Sequence, residues 1–246
     1  MRNLVWFSAG AASAVALKMS VEKYGQENVL PVYCDTGSEH PDNARFIAAV
    51  ETWLGVKVQT LKSAQFQNVD DVIEKTRFMR GLHGARCTTE LKKIPRLKFQ
   101  EPDDRHIFGY TYEEGNRIAQ IMSDNWDLRI ECPLYSAKIK KQQCLEMIHA
   151  AGIELPIMYR LGFNNNNCIG CVKAEGPDYW LLVKKYFPDV FWKRAKQERE
   201  LGFALCRWRK KPVFLDELKP HMKSSRDQKK GLNCDFLCTT DREEGA

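Results

Sequence analysis

Residues 3–17 of the chain read NLVWFSAGAASAVAL, and the expected fold class follows from this stretch. Its first five residues form an apolar run that predicts a buried strand, and the positions after residue 13 have helical composition. Small side chains between them let the backbone wrap an oxyanion, and the N–H groups of a helix start favour negative charge. Ser8 and Ser13 can each add a hydroxyl donor. The stretch predicts a phosphate-binding loop without Walker A spacing. A tight turn packed with small residues is the alternative.

The first quarter of the chain alternates between strand and helix patterns. The predicted elements are strands at 3–7, 29–34 and 56–61 and helices at 14–24 and 42–54. Such alternation is typical of a parallel sheet with right-handed crossovers. We therefore expect an α/β fold, with a Rossmann-like parallel sheet in an α/β/α sandwich. The second strand ends in Asp35, Thr36 and Gly37, where a carboxylate at the carboxyl edge of the sheet can meet a nucleotide.

The remaining elements are less regular. They are predicted strands at 106–110 and 128–132 and predicted helices at 69–78, 90–99, 112–124, 136–151, 179–185 and 190–201. The composition changes after Pro156 to a polar, cysteine-containing segment. We therefore expect a nucleotide-binding α/β domain over residues 1–155, and a helical subregion with a metal-binding Cys-x-x-Cys and a tail over residues 156–246.

Charge and hydropathy narrow the function classes. The apolar stretch at 4–17 is too short to span a membrane and lacks the pattern of a signal peptide, so we expect a cytoplasmic protein without membrane contact. The formal net charge is +6, and much of the excess lies at Lys184, Lys185, Lys193, Arg194, Lys196, Arg199, Arg207, Arg209, Lys210 and Lys211. Such a surface suits a phosphorylated or nucleic-acid substrate, and a solvated helix face is the alternative.

The chain has nine cysteines. Disulfides are rare in a reducing compartment, and an odd number of cysteines cannot all pair, so we do not expect these cysteines to form disulfides. Cys168 and Cys171 form a Cys-x-x-Cys pair, a spacing that places two thiolates on one metal ion or cluster corner. A redox dithiol and two buried core cysteines are the alternatives. The cysteines in apolar strand or helix settings are expected in the core, namely Cys34, Cys132, Cys144 and Cys206.

Taken together, these motifs resemble those of a known family. The order strand, Ser-x-Gly-x-x-Ser, helix, strand, Asp-Thr-Gly is similar to that of the adenine nucleotide alpha-hydrolase (PP-loop) superfamily, and within it the phosphoadenosine phosphosulfate (PAPS) reductase family. Later segments resemble phage and bacterial members of this group, namely Leu155-Pro156, Tyr159-Arg160, Gly162, Asn167 to Lys173 with the Cys-x-x-Cys, and Tyr179-Trp180. Ala9 and Ala12 replace a Gly and an Asp found in many members that adenylate their substrates, which fits the reductase branch better.

The resemblance implies a set of site residues. An adenine nucleotide (PAPS, its unphosphorylated analogue APS, or ATP) would be held by Ser8, Gly10, Ala11, Ser13, Asp35, Thr36, Gly37, Arg117 and Arg160. Surface pairing of Arg117 with Glu113 or Glu114, and a structural capping role for Arg160, are the alternatives. A 4Fe-4S cluster, or alternatively zinc, would be bound by Cys87, Cys168, Cys171 and one tail cysteine, Cys234 or Cys238. The other tail cysteine would be the catalytic thiol.

Three functions stay open on this basis. The first is a sulfonucleotide reductase, in which a tail thiolate attacks the sulfur of PAPS or APS. The second is an iron–sulfur-dependent sulfurtransferase that acts on DNA or tRNA, which the basic helices favour. The third is a nucleotide- or redox-sensing module without turnover. A thiol reductant or sulfur-donor protein and a homodimer are further expected partners.

Overall fold

The computed structural model describes residues 1–81 and 84–225. Within them the strands are β1 (Asn3–Trp6), β2 (Val29–Cys34), β3 (Gln59–Leu61), β4 (Arg80–Gly81), β5 (Gly84–Ala85), β6 (Arg105–Phe108), β7 (Arg129–Glu131), β8 (Cys206–Trp208) and β9 (Lys211–Val213). The helices are α1 (Ala11–Tyr24), α2 (Asn43–Leu54), α3 (Val69–Thr76), α4 (Arg86–Thr88), α5 (Ile94–Phe99), α6 (Gly115–Asp124), α7 (Pro133–Ser136), α8 (Lys141–Ala150), α9 (Ile157–Arg160), α10 (Pro177–Tyr186) and α11 (Pro188–Leu201). A π-helical segment, Thr89–Lys93, joins α4 to α5.

Five strands form a parallel sheet in the order β3-β2-β1-β6-β7. The strand order reverses next to β1, because β2 and β3 extend the sheet on one side and β6 and β7 on the other. In open parallel sheets, ligands bind outside the carboxyl ends of the strands at such a reversal. The loops after β1 and β6 therefore flank the expected binding crevice. The predicted α/β fold with a Rossmann-like parallel sheet is confirmed.

Helices cover both faces of the sheet, as the pleat of β1 requires. Val5 points to a core shared with α1, α2 and α8, whereas Leu4 and Trp6 point to a second core shared with α6. All three side chains are essentially inaccessible to solvent. Burial on both faces explains why β1 is a continuous apolar run.

A third core lies beside the sandwich and combines two distant parts of the chain. Val72 and Ile73 of α3 pack with Trp180 of α10, Phe191 of α11 and Leu215. Cys168 and Cys171 belong to the same core. It draws residues from both sides of position 155, and the division of the chain into two domains at that position stays a prediction.

One predicted helix begins later in the structure. The pattern at 136–151 predicts a single helix, but α7 ends at Ser136 and α8 begins at Lys141. Lys138 between them adopts a left-handed backbone with φ 56°. This turn lets Ile139 pack on the core of α1, while its carbonyl accepts the N–H of Tyr112 at 2.9 Å. Tertiary contacts therefore override the helical periodicity.

The β8–β9 hairpin was not predicted from the sequence, because its strands have three residues each and no Asn-Gly signal joins them. Its register pairs Cys206 with Val213 and Trp208 with Lys211, which leaves Arg209 and Lys210 as the two-residue turn. Both turn residues have positive φ, 49° and 66°.

Within the described part of the chain, no helix combines the length and the apolar character needed to cross a bilayer.

Candidate functional site

The predicted phosphate-binding loop connects β1 to α1. The hydroxyls of Ser8 and Ser13 lie 3.1 Å apart, and the Ser13 hydroxyl accepts the Ser8 backbone N–H at 3.1 Å. Ser13 also donates to the Gly10 carbonyl at 2.9 Å. Gly10 is the N-cap of α1 and adds no side-chain acceptor to its first turn. Two converging hydroxyls at a helix start without a side-chain cap form an arrangement that suits an anion.

The backbone of this loop is unusual at Ala9. The residue is fully buried and has φ 54°, in the left-handed region that favours glycine. Ala9 thus holds a conformation that glycine would adopt without strain.

Gly109, which follows β6, lies directly against the loop. A Cβ atom at this position would lie 2.7 Å from the Cα of Ser13 and 2.8 Å from its backbone nitrogen. Any side chain would therefore collide with the start of α1. Gly109 was not predicted as a site residue, and the signal for it was a glycine inside a predicted strand, at 106–110.

The Asp-Thr-Gly segment forms a second loop at the same edge, directly after β2. The Asp35 carboxylate accepts the Gly37 N–H at 2.9 Å and pairs with Lys62 at 2.9 Å. Gly37 has φ 62°, and a Cβ there would lie 2.1 Å from the Gln67 carbonyl oxygen. Both the backbone conformation and the close approach require glycine. Thr36 is buried.

This second loop also contacts the Cys-x-x-Cys segment. The Thr36 hydroxyl lies 3.1 Å from the sulfur of Cys168, and the Ile169 N–H donates to the Ser38 carbonyl at 2.8 Å. The segment assigned to the nucleotide and the segment assigned to the metal are therefore adjacent.

The Cys-x-x-Cys turn is held rigidly by its surroundings. The Tyr179 hydroxyl accepts the Cys171 N–H at 2.8 Å and donates to the Cys168 carbonyl at 3.1 Å. Burial and the neighbouring Cys171 raise the pKa of Tyr179 well above its ordinary value, so the phenol stays protonated. Arg194, which is buried, donates to the Gly170 carbonyl at 3.2 Å. Gly170 has φ 68°, which permits the turn.

Asn166 joins the cysteine segment to the phosphate-type loop. Its buried amide donates to the Ala9 carbonyl and to the Asn43 side chain, both at 2.7 Å. Tyr159 adds a second contact, since its hydroxyl accepts the Ala11 N–H at 3.4 Å. Burial raises the pKa of Tyr159 to about 12. The sequence analysis missed both side chains as site residues, because nothing local relates them to residues 9–11.

A cleft of about 220 Å³ opens beside the cysteine turn. Phe163 and Tyr179 supply aromatic walls, and Asn164, Asn165 and Asn167 supply amides. The polar run of asparagines therefore lines a concave surface between the cysteine turn and α10.

The expected metal ligands are only partly brought together. Cys87 is half-buried and packs against the same core as Cys168 and Cys171. Among residues 1–81 and 84–225, no group of three or more His, Cys, Asp or Glu side chains could hold a metal ion. Among the described residues, Cys168 and Cys171 could therefore supply two thiolate ligands, but the set of ligands is not complete. Cys234 and Cys238, the expected fourth ligand and catalytic thiol, lie outside the described residues.

The four cysteines expected in the core are all buried there. Burial raises the pKa values of Cys132, Cys144 and Cys206 to about 12, which keeps these thiols protonated and unreactive. Cys34, at the end of β2, is 1% exposed.

The two arginines expected to bind an anion each form an ion pair. Arg117 pairs with Glu114 and stacks on the Tyr110 ring, with 4.6 Å from its guanidinium carbon to the ring centroid. Arg160 pairs with Glu154 at 2.7 Å and is half-exposed. The ion pair of Arg117 with Glu114 matches the alternative to nucleotide binding given above, in which Arg117 pairs with a neighbouring glutamate. Anion binding by either arginine stays a prediction.

Lys92, in the π-helical segment, lies in a buried polar network. Its amine is 3.6 Å from the Glu39 carboxylate, and both side chains are about 5% exposed. Glu39 also accepts hydrogen bonds from Tyr33 and from Asn43, the residue that Asn166 contacts. A buried cation is thus held next to the strand end that carries the Asp-Thr-Gly loop.

Comparison with known proteins gives a likeness of structure only. No protein-family model and no curated protein matches the chain. The fold is similar to the crystal structure of phosphoadenylyl-sulfate (PAPS) reductase from Candida auris in its phosphate complex, with a TM-score of 0.47 and 14% sequence identity. The match covers 68% of this chain and 82% of that chain. Functional assignment therefore depends on the residues of the site.

Proposed function

We propose that the chain is a PAPS reductase-like enzyme that binds an adenine nucleotide and reduces a sulfonucleotide, PAPS or APS, with a cysteine thiolate. The observation that carries the proposal is the adjacency of three segments. Asn166 connects the serine loop to the asparagine run, and Thr36 contacts Cys168. An anion held at the start of α1 would therefore lie next to a cysteine-containing wall.

The nucleotide would occupy the crevice at the strand-order reversal. Its anionic end would lie against Ser8, Gly10, Ala11 and Ser13, where two hydroxyls and the start of α1 favour negative charge. Asp35, at the end of the adjacent strand β2, would lie near the adenosine. The Ala11 N–H donates to the Tyr159 hydroxyl in the structure. A bound anion would replace this hydroxyl as the acceptor of the Ala11 N–H.

The proposed reaction is a thiol-dependent reduction in two steps. A tail thiolate, Cys234 or Cys238, forms a bond to the sulfur of the sulfonucleotide while the bond from that sulfur to the phosphate oxygen breaks, and the nucleotide leaves. A thiol of a reductant protein then attacks the cysteine sulfur, sulfite leaves, and a disulfide forms. The two thiols lose two electrons and the sulfate sulfur gains them.

The metal site belongs to the same proposal. Cys87, Cys168, Cys171 and one tail cysteine, Cys234 or Cys238, would hold a 4Fe-4S cluster, with zinc as the alternative, and the bound group would anchor the tail beside the Cys-x-x-Cys turn. The role of the chain's own residues is to fix the turn, through the hydrogen bonds of Tyr179 and Arg194. Absorption spectra with iron, sulfide and zinc analysis of anaerobically purified protein, beside Cys168→Ser/Cys171→Ser, test this part separately from activity.

The reaction is tested by product analysis. Protein incubated with PAPS or APS and a dithiol reductant should release sulfite and the corresponding adenosine phosphate. Ser13→Ala should weaken nucleotide binding, since it removes a hydroxyl that closes the loop. Cys132→Ala, a core cysteine on the other face of the sheet, serves as the control and should keep activity. Tight nucleotide binding without sulfite would contradict the reductase and support a sensing module.

A second candidate is a sulfurtransferase that acts on DNA or tRNA. The exposed basic β8–β9 hairpin favours it. Such an enzyme would activate its acceptor with ATP and release pyrophosphate, whereas direct reduction releases sulfite. Measuring both products with PAPS, ATP and nucleic acid present separates the two.

A further inference from the structure

The basic residues of α11 and those of the β8–β9 hairpin differ in their surroundings. Those of α11 are largely neutralised within the chain. Lys193 and Arg194 pair with Asp70 at 2.9 and 2.8 Å, and Arg199 pairs with Asp216 and Glu217 at 2.7 and 2.6 Å. The run of positive charge in the sequence therefore overstates the charge that α11 offers to a partner.

The β8–β9 hairpin has the opposite character. Arg209, Lys210 and Lys211 are exposed, and no ion pair among the described residues involves them. Lys219 and Lys223 add exposed cations on the following segment, which contacts the hairpin through His221. We call this group of five residues the basic hairpin patch.

The backbone of the turn is held in a costly conformation. Arg209 and Lys210 have φ 49° and 66°, a region that residues other than Gly, Asn and Asp seldom adopt. Asn-Gly would satisfy this two-residue turn without strain. Residues in strained backbone conformations occur preferentially at functional sites. Here the side chains are two adjacent cations at the tip.

An aromatic ring supports the tip. The Arg209 guanidinium carbon lies 4.5 Å from the centroid of the Trp208 ring, and the His221 ring packs edge-on against Trp208 at 5.8 Å. Stacking on the indole restricts Arg209 and keeps its donors directed outward from a fixed support. A fixed guanidinium binds phosphate oxygens better than a mobile one, because less entropy is lost.

We propose that the basic hairpin patch binds the phosphodiester backbone of a nucleic acid. The patch offers three consecutive cations, Arg209 to Lys211, and two more on the following segment, and none of the five forms an ion pair with another described residue. A polyanion with regularly spaced phosphates complements such a surface. The inference goes beyond the proposed reductase, and for the sulfurtransferase alternative it identifies the surface that would hold the nucleic acid. A reductase with this patch would act near nucleic acid, and a sulfurtransferase would use it to hold its acceptor.

The test is fluorescence anisotropy of the full chain with a labelled single strand of about 20 nucleotides and with its duplex, across a salt titration. The key variant is Arg209→Asn/Lys210→Gly, which removes both cations and supplies the residues that the turn prefers. We expect it to keep or raise the thermal midpoint and to bind at least about tenfold more weakly, with a salt slope smaller by about two.

Two control variants separate charge from shape. Arg209→Lys/Lys210→Arg keeps both charges and should bind within about threefold of the parent protein, as expected for a mainly electrostatic contact. Lys193→Ala/Lys196→Ala makes the same change of charge on α11, where both lysines are paired, and should reduce binding far less. Equal binding by the parent and by the Asn-Gly variant would overturn the proposal. Binding to phosphatidylserine vesicles but not to nucleic acid would also overturn it.

The result of the nucleic-acid-binding experiment does not depend on the reductase proposal. Sulfite release from PAPS should be unchanged in the Asn-Gly variant, because the hairpin contributes no residue to the nucleotide loops. Loss of nucleic-acid binding in the Asn-Gly variant, with intact sulfite release, would support both the reductase proposal and the nucleic-acid proposal. Absence of sulfite in the parent protein, with hairpin-dependent nucleic-acid binding, would reject the reductase and leave this proposal standing.

Discussion

Tyr179 uses one hydroxyl to hold both ends of the Cys-x-x-Cys turn, at Cys171 and Cys168. Tyr179→Phe removes both hydrogen bonds from a buried site. We expect the free energy of unfolding to fall by about 1–3 kcal/mol. We also expect faster alkylation of the two cysteines, because the turn opens more often. Urea denaturation and mass spectrometry after a timed iodoacetamide pulse measure the two effects.

Tyr112→Phe is the matched control for this change, since the Tyr112 ring is 44% exposed. It should alter neither the stability nor the alkylation rate measurably. Equal alkylation of the parent protein and Tyr179→Phe would show that the hydroxyl does not hold the turn.

His106 makes the stability of the fold sensitive to acid. Burial, followed by the charge of Arg96, lowers its pKa from 6.5 to about 4, and its Nδ1 accepts the Trp6 indole N–H at 3.1 Å. The folded state therefore holds the imidazole neutral, whereas the unfolded chain protonates it below pH 6.5. The contribution is complete above pH 6.5 and is lost as pH falls through 4, by up to about 3 kcal/mol.

Urea unfolding at a series of pH values across this window measures the effect. His106→Gln keeps an acceptor for Trp6 but does not titrate, so its stability should depend less on pH between 6.5 and 4. An unchanged pH profile would mean that His106 does not titrate as described.

Some residues of the candidate site can be predicted from the sequence, and others cannot. Ser8 and Ser13 are recognisable because they lie five positions apart in one local loop, and the structure places their hydroxyls together. Asn166 and Tyr159 are not recognisable in this way. They reach the loop from about 150 positions away, and only the folded chain brings them there.

Among the elements, the approach of β6 to α1 depends on Gly109. Gly109→Ala would place a methyl group 2.7 Å from the Ser13 Cα, an atom that cannot move without shifting the loop. We expect a loss of stability of about 1–3 kcal/mol and weaker nucleotide binding. Differential scanning fluorimetry, with and without adenosine 3′,5′-bisphosphate, measures both.

Gly115→Ala is the control for an added methyl group. It would contact only the half-exposed Tyr135 ring, and it lies in the helix α6, where alanine is preferred over glycine. It should leave stability and nucleotide binding nearly unchanged or slightly improved. A Gly109→Ala protein that behaves like Gly115→Ala would contradict the close approach.

Elements with strong local signals were predicted well. The strand at 29–34 matches β2, and the helices at 42–54 and 190–201 match α2 and α11 with small shifts at their ends. The predicted helix at 136–151 begins only at Lys141 in the structure, because the turn at Lys138 depends on contacts of Ile139 with other elements. The β8–β9 hairpin was not predicted because its strands are short and its turn residues are atypical.

At the scale of the whole molecule, Asn166 couples the two halves of the site. Asn166→Ala removes the hydrogen bonds to Ala9 and Asn43, which are buried. In the parent protein, adenosine 3′,5′-bisphosphate should slow alkylation of Cys168 and Cys171, because the loops are connected. In the variant this protection should be largely lost, and stability should fall by about 1–3 kcal/mol.

Asn125→Ala supplies the control, since among the described residues its side chain donates to the Ile121 carbonyl at the end of α6. It should retain nucleotide-dependent protection of the cysteines. Full protection in Asn166→Ala would show that the nucleotide and cysteine regions communicate by another route, or not at all.

The layout of the site was predictable in outline only. Parallel alternation places the ends of β1 and β2 at one edge, so the serine loop and the Asp-Thr-Gly loop were expected to be neighbours. The contact of Thr36 with Cys168 was not expected, because the path of the chain after β7 has no parallel-sheet rule to constrain it. Which basic residues are neutralised internally also depends on α3 and on residues 216–217.

The third core has a consequence for how the chain is made. Val72, Ile73 and Leu91 belong to a core that is completed by Phe191, Leu215 and Leu218. A ribosome adds roughly 5–20 residues per second, so these early apolar groups wait on the order of ten seconds for their partners. During that interval the growing chain exposes a hydrophobic surface that a chaperone would recognise. A fragment that stops near residue 155 would keep it exposed permanently, and we expect such a fragment to aggregate during expression.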